Sequence, residues 1–107
     1  MFQNYNAEHF TDHNGKPAGG HTYGVGFAIA WQNGPLGRGD KRKKPNGAFV
    51  ESIIHAAKQR IEWYNMMGFE CEENNKAIAH LEAALKVLDD RTNRREDAGV
   101  EGTHEGK

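Results

Sequence analysis

The sequence predicts an α+β protein, with a short N-terminal β element followed by an antiparallel two-helix hairpin, in oligomeric form. Three observations carry this. Ile78, Leu81, Leu85 and Leu88 recur at steps of three, four and three, an apolar seam of the coiled-coil kind with charges on the other faces. Upstream, Val50, Ile53, Ile54, Ala57, Ile61 and Tyr64 form one broad helical stripe, with Phe49 and Trp63 beside it. Between Thr22 and Gln32 the period changes to two. A lone hairpin has no second layer on which to bury so wide a stripe, so the pattern implies several copies, with any site lying between them.

Taken in order, residues 1–20 carry scattered aromatics (Phe2, Tyr5, Phe10) without a usable period, and a flexible arm is expected there. Residues 21–107 are expected to form one domain. Its parts are a strand and turn over 22–40, a basic loop over 41–46, the hairpin over 47–98 and a polar tail over 99–107. In the strand, Tyr23, Val25, Phe27, Ile29 and Trp31 point one way; Gly24, Gly26, Ala28 and Ala30 point the other. The large face suits packing on helices, and the small face admits a backbone or a flat ligand. The strand's partner is either part of the N-terminal arm or the same strand of another copy.

Dense turn signals from Asn33 to Asp40 end the strand. Asn46 is placed as the N-cap of a first helix running from Ala48 to Met66 or Met67, with Glu51 near its positive end. Gly68 then ends that helix in a left-handed conformation, and the two methionines plug the turn. The second helix is expected from Glu72 or Glu73 to about Arg95 or Ala98, with Gly99 as its stop. Along it, Glu82 precedes Lys86 by one turn in the favourable order for an ion pair.

Composition bounds the function classes. A chain of 107 residues is near the size at which a single core is only marginally sufficient. A net charge of −1 argues against a protein built mainly to coat nucleic acid. The single cysteine, Cys71, excludes an internal disulfide and argues against a thiolate zinc site. With no signal peptide and no long apolar run, the cytoplasm of whatever cell expresses the chain is the expected compartment. The six histidines show no metal-ligand spacing, and no nucleophile–base pair or paired carboxylate stands out, so neither a catalytic set, a metal nor a cofactor is expected.

Three clusters carry binding chemistry. Arg38 and the run Lys41-Arg42-Lys43-Lys44 form either a contact for a phosphate-bearing partner or a solvated loop balanced by acids elsewhere. The tract from Trp31 through Gln32 and Asn33 to Gly37 puts an aromatic plane and two amides in one turn, components that hold a base by stacking and edge hydrogen bonds. A buried Trp at a strand end followed by an ordinary turn explains the same residues. Finally, Arg91 shares a helical face with Arg94 and Arg95, beside Thr92 and before the tail Val100-Glu101-Gly102-Thr103-His104. Paired guanidinium forks suit a phosphodiester; complementing the helix dipole is the plainer role.

The order of several of these segments resembles a family. Trp31-Gln32-Asn33-Gly34-Pro35-Leu36-Gly37, Pro45-Asn46-Gly47-Ala48-Phe49-Val50-Glu51, the stretch from Asn74 to Leu85, Arg91-Thr92 and Gly99-Val100-Glu101-Gly102-Thr103-His104 together look like the helical-hairpin domain of phage anti-CBASS and anti-Thoeris signal sponges. The resemblance runs from about Gly24 to His104. It departs at Val87, where the family often has an aromatic, and at Ala83, where it has an acid. The resemblance implies a hexamer of paired hairpins that holds a cyclic nucleotide or cyclic ADP-ribose-type immune signal between subunits without cleaving it. Carried onto this chain, it implies ligand contacts from Trp31, Asn33, Arg38, Tyr64, Asn74, Arg91, Thr92, Arg95 and Thr103. Two other classes stay open beside it: a small nucleic-acid-binding phage protein using the basic loop, and a hairpin adaptor for a protein partner.

Overall fold

The computed structural model describes residues 4–105; the ends of the expected arm (residues 1–3, with Phe2) and of the tail (residues 106 and 107) lie outside the described residues. The chain divides into two compact units. One comprises the chain up to Phe49 together with the segment from Ala98 onward, and the other is Val50–Asp97.

The first unit holds β1 (Tyr5–Thr11), β2 (Pro17–Gly24) and β3 (Phe27–Trp31), an antiparallel meander in the order β1-β2-β3. Where one strand was expected over residues 22–32, the chain instead turns back on itself at Val25 and Gly26. Gly24 pairs with Phe27 and Gly20 with Trp31. The turn forms because Gly26 takes a positive φ of 88° that an L side chain disfavours, and Val25 at its tip is fully exposed. The alternation was therefore two short strands read as one. Of the two partners open to the strand, the N-terminal segment is the one used: Ala7 lies opposite Thr22 and Glu8 opposite His21. Asp12 shapes the β1–β2 turn, its Oδ1 accepting the backbone N–H of Asn14 at 2.8 Å and of Lys16 at 3.0 Å.

Asn46 does not cap a helix. Its Oδ1 accepts the Asn33 N–H at 2.8 Å, its Nδ2 donates to the Asn33 carbonyl at 3.0 Å, and its own N–H donates to Gln32 Oε1 at 2.9 Å. The segment 46–48 thus runs along the end of β3, with Ala48 N–H donating to the Ala30 carbonyl at 2.7 Å and Gln32 N–H to the Ala48 carbonyl at 3.0 Å. This extended pairing delays the helix to Val50.

The second unit is the hairpin: α1 (Val50–Tyr64), a π-helical turn (Asn65–Phe69) and α2 (Glu72–Asp97). Gly68 sits at φ 92°, as the backbone break requires, and Gly99 beyond α2 is at φ 74°. An amide network ties the turn: Asn74 Nδ2 donates to Asn65 Oδ1 at 3.1 Å and to the Phe69 carbonyl at 3.2 Å. Cys71 serves as the cap of α2, its Sγ accepting the Asn74 N–H at 3.4 Å. Met66 and Met67 do not plug this turn; they are 79% and 55% exposed, because the asparagines close it by hydrogen bonding. Nor does Lys86 reach back to Glu82. It pairs with Asp90 at 3.0 Å, one turn ahead.

The seam residues Ile78, Leu81, Leu85 and Leu88 are half-buried, as are Ile53, Ile54 and Ile61 of the opposing stripe. Among the described residues no hydrophobic side chain is fully buried, and Trp63, Tyr64, Phe69 and Val87 are all substantially exposed. No helix of the described residues is long and apolar enough to cross a membrane.

Candidate functional site

The candidate residues fall into separate groups. In the first unit, Trp31 ends β3, half-buried, and its indole Nε1 donates to Thr22 Oγ1 at 2.7 Å. That bond is possible because Trp31 and Thr22 lie diagonally on one sheet face. Asn33 stands next to it with its backbone N–H and carbonyl both taken by Asn46. Of the two amides read as base-edge groups, Gln32 is engaged: its Nε2 donates to the Gly34 carbonyl at 3.1 Å and its Oε1 accepts from Asn46.

Arg38 belongs to a clasp between the basic loop and the tail. Its Nη1 donates to the Glu101 carbonyl at 2.8 Å, and the Glu101 carboxylate takes Arg42 Nη1 at 2.8 Å. Arg42 also donates to the Gly37 carbonyl at 3.3 Å, and the Gly37 N–H donates to the Gly102 carbonyl at 2.7 Å. A Cβ at Gly102 would overlap the Gly37 carbonyl oxygen, so the backbones meet at a distance only glycine permits. Thr103 turns the tail, its hydroxyl donating to the Val100 carbonyl at 2.6 Å and accepting the Glu105 N–H at 3.1 Å. The polar tail, which had no packing rationale in the sequence, is thereby a brace for the loop. The meeting of Glu101 with Arg38 and Arg42 was not expected; the partners lie 63 and 59 residues apart, and no local pattern signals it.

In the second unit the residues divide between the two ends of α2. Asn74 and Tyr64 sit at the hairpin turn. The Tyr64 ring is partly covered by the Arg60 guanidinium, 4.9 Å from its centroid, which also lies 4.4 Å from the centroid of Trp63. Arg60 was not expected, although an arginine three and four residues before two aromatics is a legible helix-face signal. Arg91, Thr92 and Arg95 stand near the other end, about 25 Å along α2 from Asn74 at ~1.5 Å rise per residue. There Arg91 is exposed, whereas Arg95 is only 7% exposed, the most buried side chain among the described residues. The two guanidinium groups of that face therefore have different environments. Thr92 Oγ1 donates to the Leu88 carbonyl at 3.2 Å, and Thr92 helps line a groove of about 400 Å³ with Glu51, His55, Leu85, Lys86 and Asp89. One small ligand cannot span both ends of α2 in a single copy, so contacts from both would have to come from different copies or act at different sites.

Electrostatically, the clearest perturbation is at Asp12. The Lys16 backbone N–H holds its carboxyl below the ordinary 3.8, helped by the Asn14 N–H and by His104, whose Nδ1 lies 3.9 Å away. No group of three or more potential metal-ligating side chains comes together among the described residues.

No protein-family profile matches the chain. Over 60 residues it is 45% identical to Thoeris anti-defense 1 of Bacillus phage SBSphiJ7. The match takes in 56% of this chain and 42% of that protein, so the chain spans less than half the length of the curated relative. The chain is thus similar in sequence to a phage protein named for Thoeris anti-defence, one of the two kinds of protein its motifs resemble.

Proposed function

We propose that the chain is a phage anti-defence protein that sequesters a cyclic nucleotide or cyclic ADP-ribose-type immune signal in the host cytoplasm. It binds the signal in pockets between copies, within a hexamer, and does not cleave it. The similarity to a phage protein named for Thoeris anti-defence carries this reading. Two features support it. Exposed apolar groups on the hairpin (Trp63, Phe69, Val87) give further copies a surface to cover. Arg91 beside Thr92 offers an exposed guanidinium fork of the kind that pairs with a phosphodiester. Retention needs only tight binding with slow release, which stacking and bidentate phosphate contacts in a water-excluded interface can supply.

The test is retention. Purified protein is incubated with a panel of cyclic di- and trinucleotides and cyclic ADP-ribose isomers, filtered, and heat-denatured. Intact ligand returning only after denaturation is the expected result. Cleaved product would make the protein an enzyme, and depletion of no panel member would end the sponge reading.

A further inference from the structure

The lysines of the basic loop, Lys41, Lys43 and Lys44, are not absorbed by that function. Residues 38–44 hold five cations and one acid. Lys41, Lys43 and Lys44 are exposed and have no ion-pair partner among the described residues. A solvated charge run needs no scaffold, yet this one is built. Lys43 N–H donates to the Leu36 carbonyl at 2.6 Å and closes the loop. Gly39–Lys41 forms a 3-10 turn inside it, and Glu101 with Gly102 clamps its base through Arg38, Arg42 and Gly37. Fixing like charges together is unfavourable in the empty protein and favourable only against an anion.

We infer that the braced loop 38–44 is a second binding site, for a chain of phosphates, with Lys41, Lys43 and Lys44 as contacts and Glu101 as the residue that positions the loop. Such a ligand is a single-stranded nucleic acid or an inorganic polyphosphate. Lysines contact phosphates as point charges, and the segment 38–44 contains no aromatic or amide side chain to read a base. Binding to a nucleic acid is therefore independent of its sequence. A site of this kind needs neither the retention of a cyclic signal nor the residues at the end of α2.

The experiment titrates the full-length protein into fluorescein-labelled single-stranded RNA at several salt concentrations from about 50 mM upward, with inorganic tripolyphosphate as competitor. The expected slope of log affinity against log salt is about 2, from ~0.7 for each of three phosphates neutralised. Changing Lys41, Lys43 and Lys44 together to Ser should weaken binding about tenfold at ~50 mM salt and flatten the slope. Glu101→Gln is the decisive variant. It makes the chain more positive, so bare electrostatics predicts tighter binding, whereas loss of the brace predicts binding weaker by about threefold or more. Arg42→Lys keeps the charge and loses the fork, and should weaken binding in the same direction even if Glu101→Gln fails to fold. Displacement by tripolyphosphate at matched phosphate concentration identifies a compact polyphosphate site; its absence identifies an extended strand. No binding by the wild type, unchanged binding by the lysine variant, or binding by Glu101→Gln and Arg42→Lys as tight as wild type would each overturn the proposal.

Discussion

At the scale of single residues, polar side chains set the local geometry of the first unit. Asp12 is the clearest case, because one carboxylate organises the β1–β2 turn through two backbone N–H groups. Its pKa is depressed, first by the Lys16 hydrogen bond, so the folded state favours the charged form. The stabilisation is then complete above the ordinary value of 3.8 and is lost as pH falls through the lower folded value. The protection factors of the Lys16 and Asn14 amides, each taken against the intrinsic exchange rate at the same pH, should accordingly hold above 3.8 and fall as pH drops through the lower folded value. Asp12→Asn, which removes the charge, should remove that acid-dependent step. Protection factors in the wild type that do not change across that range would count against the assignment. Glu101 works in a comparable way, one side chain meeting two arginines on a loop distant in sequence.

At the scale of elements, the hairpin and the sheet were unequally legible. The hairpin follows from a period of 3.6 and from glycines at its two stops, all local information. Gly68 shows how far this goes: its φ is 92°, and nothing lies within 4 Å of a Cβ built there. Gly68→Ala should therefore cost only the backbone strain, about 1 kcal/mol, with no steric term. Urea unfolding at fixed protein concentration measures it, and a loss several times larger would mean that the turn packs against something else. The sheet was harder to see. The sequence of β1, Tyr5–Thr11, has no clean alternation, and all seven of its residues are exposed. It becomes a strand because β2 supplies backbone partners. The expected N-cap at Asn46 failed for a related reason. An asparagine before a helix suits a cap, but here strand-end partners at Gln32 and Asn33 compete for the same amide and hold it.

At the scale of the whole molecule, the described residues contain no fully buried hydrophobic side chain. Under the proposed function, further copies cover these apolar stripes and the pockets lie there. On that reading Arg91→Ala removes a charge-assisted fork worth about 1.5–3 kcal/mol and lowers ligand affinity by roughly 10- to 100-fold. The assembly mass, measured by light scattering, should not change, since Arg91 is exposed. Unchanged affinity would remove Arg91 from the site, and a change in mass would make it an interface residue instead. The candidate ligand residues were legible one at a time as residue types, but their grouping was not. Asn74 and Tyr64 stand with the hairpin turn, Arg91 and Thr92 near the far end of α2, and Arg38 and Thr103 in the loop–tail clasp.

The sequence by itself determined the hairpin, its two glycine stops, the extended character around residues 22–32 and the similarity to a phage protein named for Thoeris anti-defence. Each depends on residues within a turn or two of one another, or on the order of motifs along the chain. Only the tertiary structure decided that the predicted strand is a hairpin of two, that β1 completes a three-stranded sheet, and that Asn46 serves β3 rather than α1. It also decided that Glu101 braces Arg38 and Arg42 across separations of 63 and 59 residues. These pairings join groups whose meeting is set by backbone closure over long loops, and no local spacing encodes a register between segments that distant.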